Sequence, residues 1–345
     1  MRPGLAQAAA QAPMLAGKSR VEYRSLPAAR LLNRCHAGSL MPFQWTINPY
    51  RGCEPGCHYC YARYTHEYLE LDAGAFERLI FVKQFRKDLF ERELRAVAPG
   101  EWIAIGTATD PYQPAERRFG VTRAVLEVVS RQAGLRVAMT TKSDLAARDA
   151  GLLERASRRN RVRVNFTVTT LDAGLARVLE PGAPRPDLRL GALERLSRAG
   201  VETAVFLSPV LPGINDGPGE PEAVARAARA AGAKHFGAQM LFLREPARSV
   251  FFRMLESKFP GQVARYRRLF AGRTRVPADL RRDLELRVAR IREECGFGQT
   301  APSCEPAWGQ LSLFEAPAAA EGAARGALIE LRAAVGEART QACAG

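Results

Sequence analysis

The chain has 345 residues, of which 47% are hydrophobic and 25% are charged. These fractions are average for globular proteins and exclude a collagen-like, a wholly disordered or a disulfide-scaffold protein. No window approaches about 18 unbroken apolar residues, which excludes a membrane span. The 51 Lys and Arg residues exceed the 36 Asp and Glu residues and give a net charge of +15. This excess favours a polyanionic partner such as nucleic acid, or an anionic ligand.

The first part of the chain and the cysteine content bear on cellular location. Residues 1–40 are predicted as an N-terminal lead-in, whose first 20 residues are Ala-rich without an apolar core of signal-peptide strength and are predicted to be flexible. The chain contains seven cysteines, and three of them lie within eight residues. Without an export signal, this pattern predicts the reducing cytoplasm and a metal site rather than disulfides.

Six short apolar runs rich in β-branched residues alternate with amphipathic stretches. The runs lie at residues 44–50, 102–108, 136–142, 162–168, 203–210 and 235–241, and the stretches at 84–98, 122–133, 188–199 and 221–231. Strand–helix alternation predicts an α/β domain with βα units around a parallel sheet over residues 41–245. Six units fit either a partial (β/α) barrel or a doubly wound sheet, and the pattern alone leaves both open.

The pattern after the sixth strand is helical only. Residues 249–270 and 278–295 carry many arginines and predict a basic helical extension over residues 246–297. Residues 298–345 are predicted to hold a linker, a short peptide and an Ala-rich tail.

A cluster of cysteines follows the first predicted strand. Residues 48–63 read NPYRGCEPGCHYCYAR, in which Cys53, Cys57 and Cys60 have the spacing C-x3-C-x2-C. The glycines and the proline between them let the loop fold back, so that three thiolates can converge on one centre. The spacing therefore predicts a metal centre.

The donor set bears on which metal is bound. A structural zinc takes four protein ligands, and only His58, His66 or Cys35 could supply the fourth. An iron–sulfur cube with three thiolates has one iron left open, which the amine and carboxylate of an amino acid can chelate. The three-cysteine motif therefore favours an iron–sulfur cluster over zinc.

The cysteine motif and its flanking segments resemble a known family. The C-x3-C-x2-C spacing with Tyr59 before the third cysteine, on the loop after strand one, is similar to the radical SAM superfamily. This resemblance implies a partial (β/α)6 TIM-type barrel, a [4Fe–4S] cluster and S-adenosyl-L-methionine (SAM) cleaved to a 5′-deoxyadenosyl radical. GTATDPYQPAE, TTKSDL, NFTVTTLD, LEPGAPRPDLR and PVLPGIND follow in order. They resemble the spore photoproduct lyase-like, or DNA repair photolyase-like, branch.

The resemblance implies roles for individual residues, most of them at predicted strand C-termini, where barrel active sites assemble. Cys53, Cys57 and Cys60 match the cluster ligands, and Lys142 matches a lysine that binds the SAM carboxylate. The remaining positions that match contacts to the adenine, amino group and ribose of SAM are Tyr59, Gly106, Thr107, Thr109, Asn165 and Thr167. The alternatives are packing for Gly106, solvent exposure for Lys142 and ordinary strand composition for the Asn and Thr residues.

One departure from the branch concerns the substrate side. Spore photoproduct lyase has a cysteine near the substrate that returns a hydrogen atom, whereas GTATDPYQPAE contains none. Tyr112 is the nearest residue that could relay a hydrogen atom, with packing as its alternative. Asp110 and Glu116 are predicted as substrate contacts or as members of a loop salt bridge. The departure argues against repair of the spore thymine dimer itself.

The resemblance and the charge together predict a lyase-like enzyme that performs radical chemistry on nucleic acid, in DNA repair or base modification. Its cofactors are then a [4Fe–4S] cluster and SAM, and a reductase supplies the electron. The alternatives are radical modification of tRNA or protein, and a non-catalytic metal-cluster module that binds nucleic acid. SAM turnover separates the last alternative from the others.

A pentapeptide in the tail suggests a protein partner. Residues 310–314 read QLSLF, which resembles the short peptide with which bacterial polymerases and repair proteins dock on the DNA sliding clamp. The residues concerned are Gln310, Leu311, Ser312, Leu313 and Phe314. Two apolar anchors in an extended peptide suit a preformed groove on the clamp. The alternative is a hydrophobic latch that packs on the protein's own helices.

Replacing both Leu313 and Phe314 by Ala distinguishes these alternatives. If the peptide docks on the clamp, wild type binds the purified clamp with a dissociation constant on the order of micromolar by calorimetry. The double variant then loses this binding and keeps the wild-type melting temperature. No binding of wild type at roughly tens of micromolar clamp, together with a lower melting temperature of the variant, would establish the latch instead.

Overall fold

The structure is a computed structural model, in which residues 4–18, 20–35 and 42–298 are described. The clamp-like peptide Gln310–Phe314 lies outside the described residues. The strands are β1 (Met14–Lys18), β2 (Val21–Leu26), β3 (Leu32–Arg34), β4 (Trp45–Ile47), β5 (Tyr50–Arg51), β6 (Leu79–Lys83), β7 (Trp102–Ile105), β8 (Arg136–Thr141), β9 (Arg161–Thr167), β10 (Glu202–Val210) and β11 (His235–Met240). The helices are α1 (Leu5–Ala10), α2 (Tyr64–Glu67), α3 (Lys87–Leu94), α4 (Ala115–Phe119), α5 (Val121–Val129), α6 (Ala150–Ser157), α7 (Ala173–Leu179), α8 (Pro186–Arg198), α9 (Glu220–Ala230), α10 (Ala247–Lys258), α11 (Val263–Leu269) and α12 (Ala278–Glu294).

The larger sheet has seven strands in the order β11-β10-β9-β8-β7-β4-β3. Six of these strands pair in parallel in chain order, namely β4, β7, β8, β9, β10 and β11. The seventh, β3, pairs antiparallel with β4. The six parallel strands are those that the sequence predicts. A doubly wound sheet would reverse its strand order at a switch point, so the unbroken order confirms the partial (β/α)6 TIM-type barrel.

The two faces of the parallel strands carry side chains of different size. In β8, Val137 and Met139 pack in the main core against the surrounding helices, whereas Ala138 faces an inner cluster that includes Trp102 and Ala104. Successive residues of a strand point to opposite faces. Small inward side chains such as Ala104 and Ala138 therefore leave space inside the barrel, while the outward Val137 and Met139 pack against the helices.

A second sheet, in the order β1-β2-β6-β5, contains part of the N-terminal segment. The prediction of flexibility for the first 20 residues is wrong for β1, and the lead-in also contains β2 and β3. In β2, Tyr23 packs with Tyr50, Ile80 and Val82. β2 pairs in parallel with β6, which is more than 50 residues later in the chain. The sequence pattern missed this sheet because its strands depend on a partner that is distant in sequence.

The predicted helical extension consists of α10, α11 and α12. Phe251, Tyr266 and Phe270 are fully buried and belong to the same apolar cluster as Cys57 and Tyr59. The extension therefore packs against the cysteine loop at the C-terminal end of the barrel. Among the helices of the described residues, none has the length and apolar character needed to cross a membrane.

A buried carboxylate joins the second sheet to the barrel. Glu116 in α4 accepts hydrogen bonds from the Tyr50 hydroxyl at 2.5 Å and from the Thr122 backbone N–H at 2.8 Å. Arg148, in the segment after β8, forms an ion pair with the same carboxylate at 2.9 Å. Glu116 is fully buried, so its charge depends on these partners for stabilisation.

We expect Glu116→Ala to lower the free energy of unfolding by about 3 kcal/mol, because it leaves the Tyr50 hydroxyl and the Thr122 N–H without an acceptor. Urea unfolding followed by circular dichroism measures the change. The matched control is Glu127→Ala, which breaks an exposed ion pair with Arg123 and should cost less than about 1 kcal/mol. Equal losses in the two variants would contradict the structural role of Glu116.

Candidate cofactor site

A cavity of about 1030 Å³, including its open mouth, lies at the C-terminal ends of the parallel strands. The cysteine loop forms one wall, and the ends of β7, β8, β9 and β10 form the other. The sequence-predicted residues that line it are Cys53, Cys57, Tyr59, Cys60, Gly106, Thr107, Thr109, Asp110, Lys142, Asn165 and Thr167. The structure thus brings together all the residues predicted for the cluster and SAM.

The three cysteines line one wall of this cavity and lie on a tightly folded loop. Gly52 has φ +82°, and a Cβ atom there would lie 2.7 Å from the backbone oxygen of Leu79, so only glycine fits. The Asp110 backbone N–H donates to the Cys53 Sγ at 3.3 Å. The His, Cys, Asp and Glu side chains of the described residues form no group of three that could hold a single metal ion. Three thiols that border one cavity fit a cluster, whose irons bind separate thiolates.

Burial affects the protonation of the three thiols. Burial is the largest cause that raises the pKa of Cys53 and Cys60, and it raises the pKa of Cys57 to about 12. Iron binds the thiolate, so ligation displaces protons from thiols that are otherwise protonated at neutral pH. Cluster loading is therefore favoured as the pH rises.

Polar side chains hold the loop in place, and the sequence analysis missed two of them, Asn48 and Gln113. The Thr109 hydroxyl donates to the Gly52 carbonyl at 2.6 Å, and the Gln113 carboxamide bonds to the Gly52 carbonyl and the Glu54 N–H. Asn48 bonds to Thr107 and to the neighbouring backbone. Asn48 lies in the segment NPYRGC and Gln113 lies in GTATDPYQPAE, but their hydrogen-bond partners on the other segment are about 60 residues away in sequence. Thr109 thus contacts the cysteine loop through its hydroxyl.

Asp110 lies at the cavity, but the protein itself uses both of its carboxylate oxygens. One accepts from the Thr141 hydroxyl at 2.6 Å and the Tyr112 N–H at 2.9 Å, and the other accepts from the Lys142 N–H at 2.7 Å. Asp110 therefore holds the end of β8 in position, and its role as a substrate contact stays a prediction.

Tyr112 and Glu116 are absent from the described lining of the cavity. Tyr112 is fully buried in the main core between the strands and the helices, and Glu116 occupies the ion-pair network with Arg148. These positions favour the alternatives, packing for Tyr112 and a loop salt bridge for Glu116, and a substrate-side role of either residue stays a prediction.

Lys142 is the cation that faces the cavity wall formed by the cysteine loop. Its ammonium lies 5.7 Å from the centroid of the Tyr59 ring. Burial lowers the pKa of Lys142, but the nearby Cys57 and Glu180 outweigh this effect, so that the net shift is upward. Lys142 therefore remains charged at neutral pH and suits an anionic group such as the SAM carboxylate. Its position at the cavity contradicts the alternative of plain solvent exposure.

Two further positions show why the predicted residue types are required. Gly106 has φ +87°, and a Cβ atom there would lie 2.6 Å from Pro111 and 2.7 Å from the Thr140 carbonyl oxygen. Gly106 therefore serves packing while it lines the cavity. Asn165 is 1% exposed, and its side-chain oxygen is buried without a hydrogen-bond partner. Such an acceptor at a cavity wall suits a hydroxyl donor of a bound ligand.

The floor of the cavity is apolar, and the sequence analysis did not identify it. It is lined by Phe43, Ala104, Ala138 and Phe206, which belong to one apolar cluster with Trp102. These residues come from four separate segments, so no local pattern joins them. Their apolar side chains exclude water from the inner part of the cavity.

A partial barrel with a three-cysteine loop and a cation at its strand ends defines a cluster enzyme of the radical SAM class. The sequence matches the Radical SAM superfamily over residues 47–228, and the chain belongs to this superfamily. Its cofactors are accordingly a [4Fe–4S] cluster and SAM, and it catalyses the cleavage of SAM.

Relatives occur in bacteria and archaea. The chain is 34% identical over 262 residues to an uncharacterized protein of Mycobacterium tuberculosis, an alignment that covers 75% of this chain and 77% of the relative. It is 31% identical over 173 residues to an uncharacterized protein of Methanocaldococcus jannaschii, an alignment that covers 50% of this chain and 62% of the relative.

Solved structures of spore photoproduct lyase have a similar fold. A double mutant with bound AdoMet and dinucleoside spore photoproduct has a TM-score of 0.58 and 17% identity over 84% of this chain and 86% of that chain. A complex with dinucleoside spore photoproduct has the same TM-score and identity, and covers 79% of each chain. At this identity the similarity concerns the fold alone.

We expect Lys142→Ala to weaken SAM binding by roughly 10- to 150-fold, because a charge-assisted hydrogen bond contributes about 1.5–3 kcal/mol. Equilibrium dialysis on anaerobically reconstituted protein measures the dissociation constant. The control is Lys87→Ala, which removes an exposed lysine paired with Glu91 and should leave binding unchanged. Wild-type affinity in the Lys142 variant would contradict its role at the carboxylate.

Proposed function

We propose that the chain is a lyase-like radical SAM enzyme that acts on nucleic acid, in DNA repair or base modification. In this proposal Cys53, Cys57 and Cys60 bind the cluster, and Lys142 binds the SAM carboxylate. Reductive cleavage of SAM to methionine and a 5′-deoxyadenosyl radical is the chemistry supplied when the cluster is bound. A reductase as electron donor and a cytoplasmic location belong to the same proposal.

The side chains of the cavity orient and protect the reacting groups in this proposal. Lys142 and the unpartnered oxygen of Asn165 lie on the same wall, where Thr140 and Asn165 are paired across β8 and β9. They can hold the charged and the hydroxyl groups of one extended ligand. Phe43 and Phe206 in the apolar floor exclude water, which shields a radical from side reactions.

Pairs of aromatic rings and guanidinium groups beside the cysteine loop carry the proposal of a nucleic-acid substrate. The Arg244 guanidinium lies 5.0 Å from the centroid of the Tyr64 ring, and that of Arg275 lies 5.8 Å from the Phe242 ring. Both rings pack against the apolar cluster that contains Cys53. Phe242 also lines a small pocket together with Cys60 and Lys142. The pairs therefore stand next to the cofactor site.

This combination suits a nucleic-acid strand in two ways. Aromatic rings stack on bases, and guanidinium groups bind phosphates or stack in turn. Tyr68 adds an exposed ring at 5.6 Å from Tyr64. The helical extension presents further exposed arginines for phosphate contacts. They are Arg265, Arg267, Arg268, Arg273 and Arg282. A dinucleoside is bound in the structurally similar spore photoproduct lyase, which also supports the proposal.

We expect the double variant Arg244→Gln and Arg275→Gln to bind nucleic acid about 10-fold more weakly, and to reduce the slope of log affinity against log salt by about 1 to 2. Fluorescence anisotropy with labelled DNA and tRNA at several salt concentrations measures both effects. SAM cleavage without substrate should not change. The matched control, Arg158→Gln, removes an exposed arginine near the opposite ends of the strands.

The substrate class is tested by product analysis. Anaerobically reconstituted protein with reductant and SAM is incubated with DNA, tRNA or cell lysate, and products are identified by mass spectrometry. Altered nucleotides whose formation depends on SAM support the proposal. Comparison of the products from DNA with those from tRNA decides which of the two is the substrate. Radical modification of protein alone, with nucleic acid unchanged, would refute it.

A further inference from the structure

The motif LEPGAP, residues 179–184, lies directly against the cysteine loop, and we refer to it as the brace. The His58 N–H donates to the Leu179 carbonyl at 3.1 Å, and the Gly182 N–H donates to the Pro55 carbonyl at 3.0 Å. Both bonds join the brace to the part of the loop that carries Cys57. The brace is therefore hydrogen-bonded to the cysteine loop on both sides of Cys57.

A buried carboxylate of the brace binds the side chain next to the third cysteine. The Tyr59 hydroxyl donates to the Glu180 carboxylate, and the Thr169 hydroxyl donates to the same oxygen at 3.1 Å. Glu180 is fully buried. Because Tyr59 lies between Cys57 and Cys60, Glu180 restrains the span that carries two of the three thiols.

Arg189 connects the brace to the end of β9. It is 1% exposed and forms an ion pair with Glu180 at 2.5 Å. Its guanidinium also donates to the Thr167 carbonyl at 3.0 Å and to the Pro184 carbonyl at 2.7 Å. Since Thr167 lines the cavity, the same guanidinium contacts the brace and the wall that faces the cysteine loop.

The fit between brace and loop leaves no room for a side chain at Gly182. A Cβ atom there would lie 2.5 Å from the Glu54 backbone oxygen and 3.0 Å from the Pro55 Cα. Both are backbone atoms, so a methyl group would have to push the brace and the loop apart. Gly182 thus offers a direct way to disturb this contact.

The charges in this region balance one another. Glu180 is a buried anion that interacts with two cations, Arg189 and Lys142, and it also interacts with Cys57. A buried charge without a partner is costly, so each of these groups depends on the others. Removal of Glu180 would leave excess positive charge beside Cys57.

We propose that Glu180 is a positioning residue, which together with the brace holds the Cys57–Cys60 span and offsets the charges of Arg189 and Lys142 beside the cofactors. This role goes beyond the proposed function, because it concerns the cofactor site and does not depend on the substrate.

The first part of the proposal, that the brace holds the Cys57–Cys60 span, is tested with Tyr59→Phe and Gly182→Ala in the reconstituted holoprotein. Tyr59→Phe removes one hydroxyl, and Gly182→Ala adds one methyl group at the contact. We expect iron to be lost to a chelator about 10-fold faster in each, since Tyr59→Phe loses a hydrogen bond to a charged group and Gly182→Ala pushes the brace away from the loop. The matched controls are Tyr68→Phe, at an exposed ring, and Gly191→Ala, where a Cβ atom meets nothing within 4 Å.

The electrostatic part is tested with Glu180→Gln, which keeps an acceptor for Tyr59 and removes the charge. We expect a more positive midpoint potential of the cluster, because the lost negative charge favours the reduced form. We also expect that the change in the electron paramagnetic resonance spectrum on SAM addition differs from the change in wild type. The control Glu222→Gln neutralises a carboxylate paired with Arg287 on the helical extension and should leave both unchanged.

Two results would overturn the proposal. The first is wild-type iron retention in both Tyr59→Phe and Gly182→Ala, or an equal defect in Gly191→Ala. The second is an unchanged midpoint potential in Glu180→Gln. If Glu180→Gln fails to fold, Tyr59→Phe decides through iron retention and the resonance spectrum, since it deletes a single oxygen atom. None of these measurements uses nucleic acid, so failure of the proposed substrate leaves them unaffected.

Discussion

The cavity depends on how the cysteine loop is anchored to the ends of the parallel strands. The loop contains little regular secondary structure, so its backbone groups need partners elsewhere. Side chains from the β7 loop supply some of them, since Thr109 and Gln113 both bond to the Gly52 carbonyl. The brace supplies others, since its Leu179 carbonyl accepts from the His58 N–H and its Gly182 N–H donates to the Pro55 carbonyl. Three thiols can face one cavity only because these contacts hold the loop from two sides.

The same region gathers several charges away from solvent. Lys142, Glu180 and Arg189 lie within one network, and Asp110 holds the backbone of Lys142 through its N–H. A cation at the wall of a cavity is tolerated because buried anions stand next to it. The site is therefore prepared for an anionic ligand before any ligand arrives, which reduces the cost of ordering on binding.

The aromatic and arginine pairs place rings and positive charges beside the cofactor site. Tyr64 follows the cysteine loop directly in sequence, whereas Arg244 and Arg275 come from the segments after β11 and α11. The helical extension thus contributes to the surroundings of the cofactor site as well as to the overall positive charge. Its buried face, which includes Phe251 and Tyr266, packs in the cluster that contains Cys57.

The sequence by itself determined the six parallel strands, the cysteine loop and the candidate cluster and SAM residues at the cavity, but not its apolar floor. The strands and the loop follow from local patterns, namely apolar runs and motif spacing, whereas the candidate SAM residues follow from the resemblance to the radical SAM superfamily. Only the tertiary structure decided that β2 pairs with β6, that Tyr112 and Glu116 are buried away from the cavity, and that Glu180 binds the Tyr59 hydroxyl. Each of these outcomes depends on partners far apart in the chain, and the orientation of a side chain toward core or cavity is set by packing, which no local spacing specifies.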